Sequence, residues 1–159
     1  TTVARRATSG THLTPAGGGG HVSDIALGLV TAQYNASVTD QMAETARAAA
    51  AEQGAEVVES VSVPGVYDTP LAADRLARRS DVDAVAVVGA VVTGDTDHDQ
   101  VIGHAVAEQL AAVSLDRDTP VTFGVSGPGQ SGAEARERVG KGAEAVDAAV
   151  DVVEELAHV

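Results

Sequence analysis

One histidine in this chain stands where a proton carrier and an anion would meet. The apolar run Val85-Ala86-Val87-Val88-Gly89-Ala90-Val91-Val92 stops at Thr93-Gly94-Asp95-Thr96-Asp97, and His98 follows at once. Such a run predicts a parallel strand buried on both faces. The residues after it, Thr96 to Val113, predict a helix. The turn then lies at the carboxyl end of a strand and the amino end of a helix. Open α/β sheets take ligands there, and free backbone N–H groups favour an anion. A histidine in the first helical turn can exchange protons near neutral pH. Strand, anion turn and histidine together imply an enzyme acting on a phosphorylated small molecule. The competing bland reading makes His98 a surface residue or a neighbour of the helix cap.

Other unusual residues fall at other strand exits. Gln33-Tyr34-Asn35 follows the first apolar run, Pro64-Gly65-Val66-Tyr67-Asp68 the second, and Ser126-Gly127-Pro128-Gly129 the last. Tyr34, Tyr67 and Phe123 are the chain's only aromatics, so both tyrosines sit at strand exits. An aromatic face there can stack on a planar heterocycle or plug one end of the core. Position alone allows either. Asp95, Asp97 and Asp99 resemble a metal cluster at first sight. Their i, i+2, i+4 spacing spreads them around a helix, and they read as acids enriched at a helix start. His104 and His158 read as solvent-facing. No phosphate-loop pattern, dinucleotide fingerprint or nucleophile elbow is present, so a nucleotide cofactor is not expected.

The elements that must hold these residues alternate. Strands are predicted over Ile25–Val30, Glu56–Val63, Asp83–Val92 and Pro120–Val125. Helices are predicted over Val38–Gln53, Asp68–Arg79, Thr96–Val113 and Glu134–Leu156. Gly54 reads as a C′ residue, Pro70 as a first-turn proline, and Gly140 and Gly142 as sites for a kink. Alternating strands and helices with right-handed crossovers predict a flavodoxin-like three-layer α/β/α sandwich around a four-stranded parallel sheet.

Composition narrows the class. The chain has 159 residues and no cysteine, which excludes disulfides and thiolate metal sites. No apolar run approaches the roughly 20 residues of a membrane helix. A soluble cytoplasmic protein is expected. Its 23 acidic and 10 basic residues give a net charge of −13, and Lys141 is its single lysine. Such a surface repels nucleic acid and anionic membranes. Acid-rich, lysine-poor, aromatic-poor composition points to a high-salt cytoplasm and a halophilic source. Residues 1–24 differ from the rest, with Gly17-Gly18-Gly19-Gly20 at their centre. They read as a flexible arm or extension preceding one domain over 25–159.

Taken together, Tyr34-Asn35, Val63-Pro64-Gly65-Val66-Tyr67-Asp68-Thr69-Pro70, Gly89 to His98 and Pro120-Val121-Thr122-Phe123-Gly124-Val125 resemble the lumazine synthase family. Ser126-Gly127-Pro128-Gly129 and Glu137-Arg138 resemble its archaeal branch. The resemblance covers about five-sixths of the chain, from Ile25 to the last helix. It implies condensation of 5-amino-6-ribitylaminouracil with 3,4-dihydroxy-2-butanone 4-phosphate, a step of riboflavin synthesis that needs no cofactor or metal. It implies that Tyr34 stacks on the pyrimidine and that Asn35, Val66, Tyr67 and Asp68 line the ribityl pocket. Asp68 is one methylene shorter than the family's usual glutamate. Val91 and Val92 would contact the pyrimidine through their backbones. Gly94, Asp95 and Thr96 would form the phosphate turn, with His98 moving protons and Arg138 binding phosphate. Asp147 would orient the histidine, and Lys141 matches the lysine of a turn that is shortened here. Phe123 would come from an adjacent subunit, which places the site between subunits of a pentamer or an assembly of pentamers. An archaeal-type riboflavin synthase and a non-catalytic ligand-binding or shell-forming homologue are the alternatives. The first generally lacks the Gly-Asp-Thr-Asp-His stretch; the second would have no need of His98 and Arg138.

Overall fold

Among the residues described by the computed structural model, 24–91, 98–126 and 132–159, four strands and four helices alternate. Residues 1–23 of the expected arm, the turn residues Val92, Gly94, Asp95 and Thr96, and the Gly127-Pro128-Gly129 turn lie outside the described residues. The elements are β1 (Ala26–Ala32), α1 (Ala36–Glu52), β2 (Glu56–Val63), α2 (Thr69–Ala77), β3 (Ala84–Ala90), α3 (His98–Arg117), β4 (Val121–Ser126) and α4 (Gly132–Leu156). The strands form one parallel sheet in the order β2-β1-β3-β4. The chain turns outward to β2 after β1, then crosses back to β3. The exits of β1 and β3 therefore flank the point where strand order reverses, the crevice that doubly wound sheets use for ligands.

Side-chain alternation along the strands builds two cores. Leu27 and Leu29 of β1, with Ala84, Ala86 and Val88 of β3, pack under α1 and α4 against Met42, Ala46, Val146 and Val150. Val30, Ala32, Val85 and Val87 face the other way, under α2 and α3 with Ala73, Leu76, Val106 and Leu110. All seven residues of β3 are buried, as its unbroken apolar sequence requires. Small residues set the distance between α1 and α4. A Cβ on Gly142 would lie 1.9 Å from the Met42 carbonyl oxygen, and the Thr45 hydroxyl donates to the Val139 carbonyl at 2.6 Å. Gly140 and Gly142, expected as kinks, lie inside a continuous helix. Gly142 provides the point of contact with α1.

Helix boundaries follow local chemistry. Gly54 takes a left-handed φ of 69° just past α1, as a C′ residue should. The helix expected from Asp68 splits into a 3-10 turn at Val66–Asp68 and α2. The cause is a reciprocal pair of bonds. The Gly65 N–H donates to the Asp68 carboxylate at 3.0 Å, and the Asp68 N–H donates to the Gly65 carbonyl at 3.0 Å. The Thr69 hydroxyl then donates to the Val66 carbonyl at 2.7 Å. These bonds close a tight turn before the α-helix begins.

Candidate functional site

A cavity of about 560 Å³ opens at the carboxyl end of the sheet. Its walls come from three strand exits and the first turn of α3: Tyr34, Pro64 to Asp68, Ala90, Val91, His98, Asp99 and Ile102. Backbone bonds fix two of these exits to each other. The Gln33 N–H donates to the Val63 carbonyl at 2.8 Å, and the Tyr34 N–H to the Pro64 carbonyl at 3.1 Å. The parallel ladder of β1 and β2 thus continues into the loops, and Tyr34 is held opposite the Val66–Asp68 turn. Asn35 follows in the left-handed region at φ 61°, a conformation asparagine tolerates better than most residues. Its carbonyl accepts the N–H groups of Val38 and Thr39, which turns the chain into α1.

The floor depends on a missing side chain. A Cβ on Gly89 would stand 2.9 Å from Val66 Cγ2 and 3.2 Å from Ala32 Cβ. Without one, buried Val66 drops onto β3 and carries Tyr67 and Asp68 with it. Neither tyrosine plugs the core, because Tyr34 is 60% and Tyr67 74% exposed. Their faces are free to meet a planar ligand. The Asp68 carboxylate commits one oxygen to Gly65 and keeps the other. His98 is the first residue of α3 and is exposed at the rim.

The structure thus brings together Tyr34, Val66, Tyr67, Asp68, Val91 and His98. It places the other expected residues elsewhere. Phe123 sits in β4, half-buried against the core under α2 and α3. Arg138 and Lys141 lie on α4, which packs beside α1 on the opposite face of the sheet from α3. One Arg138 guanidinium nitrogen, Nη2, is buried with no partner among the described residues. Lys141 pairs with Glu144 at 3.0 Å, and its carbonyl abuts Gly124 of β4. Asp147 accepts a hydrogen bond from Gln53 at 3.1 Å, beyond the far end of α1. In one chain the sheet separates Asp147 from His98, so an orienting role for it requires a second copy. Asn35 stands next to Tyr34 but is not part of the cavity wall.

Two wall residues escape the sequence reading. Asp99, expected as a surface charge at the helix start, turns one carboxylate oxygen, Oδ1, into a buried position with no partner among the described residues. Ile102 stands four residues beyond His98 and three beyond Asp99, on the same side of α3. That spacing is the signal that could have found both. No group of three or more metal-ligating side chains occurs among the described residues. No described helix is long and apolar enough to cross a membrane.

A parallel 2-1-3-4 sheet with an aromatic, carboxylate and histidine cavity at its switch point defines a flavodoxin-like α/β ligand-binding domain. Comparison with known proteins narrows that class. The 6,7-dimethyl-8-ribityllumazine synthase family model matches residues 24–157. A 6,7-dimethyl-8-ribityllumazine synthase from Halorubrum lacusprofundi is 70% identical over 132 residues, 83% of this chain and 98% of that protein. One from Halobacterium salinarum is 68% identical over 130 residues, 82% of this chain and 98% of that protein. One from Methanocaldococcus jannaschii is 44% identical over 130 residues, 82% of this chain and 92% of its own length. The chain belongs to the 6,7-dimethyl-8-ribityllumazine synthase family. Its likeness to proteins of salt-loving archaea agrees with its acidic, lysine-poor composition.

Proposed function

We propose that this chain condenses 5-amino-6-ribitylaminouracil with 3,4-dihydroxy-2-butanone 4-phosphate to 6,7-dimethyl-8-ribityllumazine, releasing phosphate and water. The observation that carries this reading is the convergence of Tyr34, Val66–Asp68, Val91 and His98 on one cavity at the strand exits. A planar, hydroxyl-bearing pyrimidine suits those walls. The exposed tyrosine faces stack on its ring, and the free Asp68 oxygen accepts from ribityl hydroxyls. Forming the imine and expelling phosphate both require protons to be moved. His98 at the rim is positioned to carry them. Departing phosphate needs cationic donors, and no arginine or lysine lines the cavity of a single chain among the described residues.

That gap supports a site shared between copies. Arg138 and Lys141, with Phe123, lie along the β4–α4 side, away from the cavity walls at β1, β2 and the start of α3. Their counterparts from a second copy would complete the pocket, with the Arg138 guanidinium donating to phosphate. We assign that arrangement to a homo-oligomer of pentameric type in the cytoplasm, with Val92, Gly94, Asp95 and Thr96 holding substrate in the turn before α3. Incubating the protein with both substrates tests the activity. Lumazine absorbance and fluorescence should rise in step with free phosphate. Absence of product overturns the reading, and dismutation of lumazine to riboflavin would establish the rival enzyme.

A further inference from the structure

The turn that carries Tyr67 and Asp68 lacks one backbone donor. Val66–Asp68 is a 3-10 turn that runs directly into α2. Where such a turn passes into an α-helix, the Val66 carbonyl would next accept the N–H of residue 70. Residue 70 is proline and has no N–H. The Thr69 hydroxyl fills that place. It donates to the Val66 carbonyl at 2.7 Å, beside the Thr69 backbone N–H, which goes to the same oxygen. Thr69 is 0% exposed, so the bond is sealed from water.

This bond stands where the cavity wall needs it. Val66 rests in the notch at Gly89, where a Cβ would stand 2.9 Å from its Cγ2. On the other side the Gly65 N–H holds the Asp68 carboxylate at 3.0 Å. Tyr67 lies between these fixings and is itself exposed, so no core packing sets its ring. Its place in the cavity wall is set by the backbone on either side.

We infer that Thr69 is a positioning residue for the ribitylaminopyrimidine. Its hydroxyl replaces the donor that Pro70 lacks and so holds Tyr67 and Asp68 in the geometry that receives the ring and its ribityl chain. The inference rests on the functional reading above and deepens it. Thr69 itself does not line the cavity. Its effect falls on one substrate, because Arg138 and the turn before α3, proposed above for the phosphate, belong to other elements.

Three variants test this. Thr69→Val keeps the branched shape and deletes the donor. Thr69→Ser keeps the donor and deletes a buried methyl. Thr69→Val combined with Pro70→Ala deletes the hydroxyl but returns an N–H to residue 70. Binding of 5-amino-6-ribitylaminouracil is titrated directly, steady-state rates are taken against each substrate, and a thermal melt is recorded for every variant. Thr69→Val should weaken Kd and KM for the pyrimidine about fivefold, with kcat and KM for the butanone phosphate within about twofold of wild type. Thr69→Ser should bind pyrimidine within about twofold of wild type, although its lost methyl lowers Tm. The double variant should regain most of the lost affinity. The inference is overturned if Thr69→Val binds pyrimidine as the wild type does, if the double variant regains nothing, or if both KM values rise equally. Affinity that simply follows Tm across the variants, or a Thr69→Val chain that does not fold, makes the bond structural and overturns it as well. A wild type that neither binds pyrimidine nor forms product overturns the functional reading; an active wild type beside an unaffected Thr69→Val overturns this inference alone.

Discussion

At the amino end of the sheet polar groups find partners within the chain, whereas at the carboxyl end several are left waiting. Asp83 accepts the Ala26 N–H at 2.8 Å and closes the β1–β3 ladder there. Asp74 takes Arg117 at 2.8 Å and also Arg78, joining α2 to the last turn of α3. Arg79 spans Asp81 at 2.9 Å and Glu59 at 2.8 Å, joining α2 to β2. At the other end, Asp99 Oδ1 and Arg138 Nη2 are buried without described partners, Asn35 is held in a left-handed conformation, and both tyrosines are exposed. Unsatisfied groups and sparse conformations cost stability and persist where something else over-determines them. The amino end thus serves the fold, and the proposed site lies at the end where the exposed tyrosines and the second Asp68 oxygen stand.

If this division holds, substitutions at the two ends separate activity from stability. His98→Ala has the largest expected effect, a fall in kcat of about 100-fold or more with pyrimidine binding nearly unchanged. Because His98 is exposed, unfolding free energy should shift by less than about 0.5 kcal/mol. Arg138→Ala comes next, raising KM for the butanone phosphate about tenfold and sparing KM for the pyrimidine. Gly89→Ala forces a Cβ to within 2.9 Å of Val66. It should cost about 1–3 kcal/mol in a denaturant titration and raise KM for the pyrimidine by lifting the cavity floor. A Gly89→Ala enzyme with wild-type KM would break the link between β3 and the pocket.

The smallest effect belongs to the amino end. Asp74→Asn should cost about 1 kcal/mol of stability and leave kcat and KM unchanged. Its pH dependence has a definite sign. The hydrogen bond from Arg117 holds the Asp74 carboxyl below its ordinary value, against the opposing effect of burial. The pair therefore stabilises the fold above the ordinary carboxylate range, and its contribution is lost as pH falls through the lowered folded value. Unfolding free energies measured from about pH 6 to about pH 2 should converge for wild type and Asp74→Asn at the acid end. Curves that stay parallel would remove Asp74 from the account.

Much of the fold is legible in the sequence because its strands are short apolar runs bounded by glycine, proline and polar turns. Glu56–Val63 agrees residue for residue with β2, and the Val85 run is the fully buried β3. Boundaries drift where side chains compete with periodicity. Asp68 and Pro70 together suggest one helix, yet the Asp68 carboxylate and the Thr69 hydroxyl tie off a separate 3-10 turn. The cavity walls are legible as loops at strand exits. Their division between two faces of the sheet is not, because no local pattern says which helix covers which face. Asp99 shows the same limit. An acid after a helix-start histidine carries no mark of its place in the cavity wall until α3 is set beside the β3 exit. The amino-end ion pairs escape sequence reading for a simpler reason. Asp74 and Arg117 are 43 residues apart, and Glu59 and Arg79 are 20 apart.

The central claim is that the cavity of one chain is completed by Arg138 of another. Co-assembling His98→Ala with Arg138→Ala, each nearly inactive alone at low butanone phosphate, tests it most directly. A site shared between neighbouring copies predicts recovery to about a quarter of wild-type activity in an equal random mixture, because some interfaces then carry both intact residues. Activity that stays at the average of the two single variants would place His98 and Arg138 in the same chain's site and contradict the account.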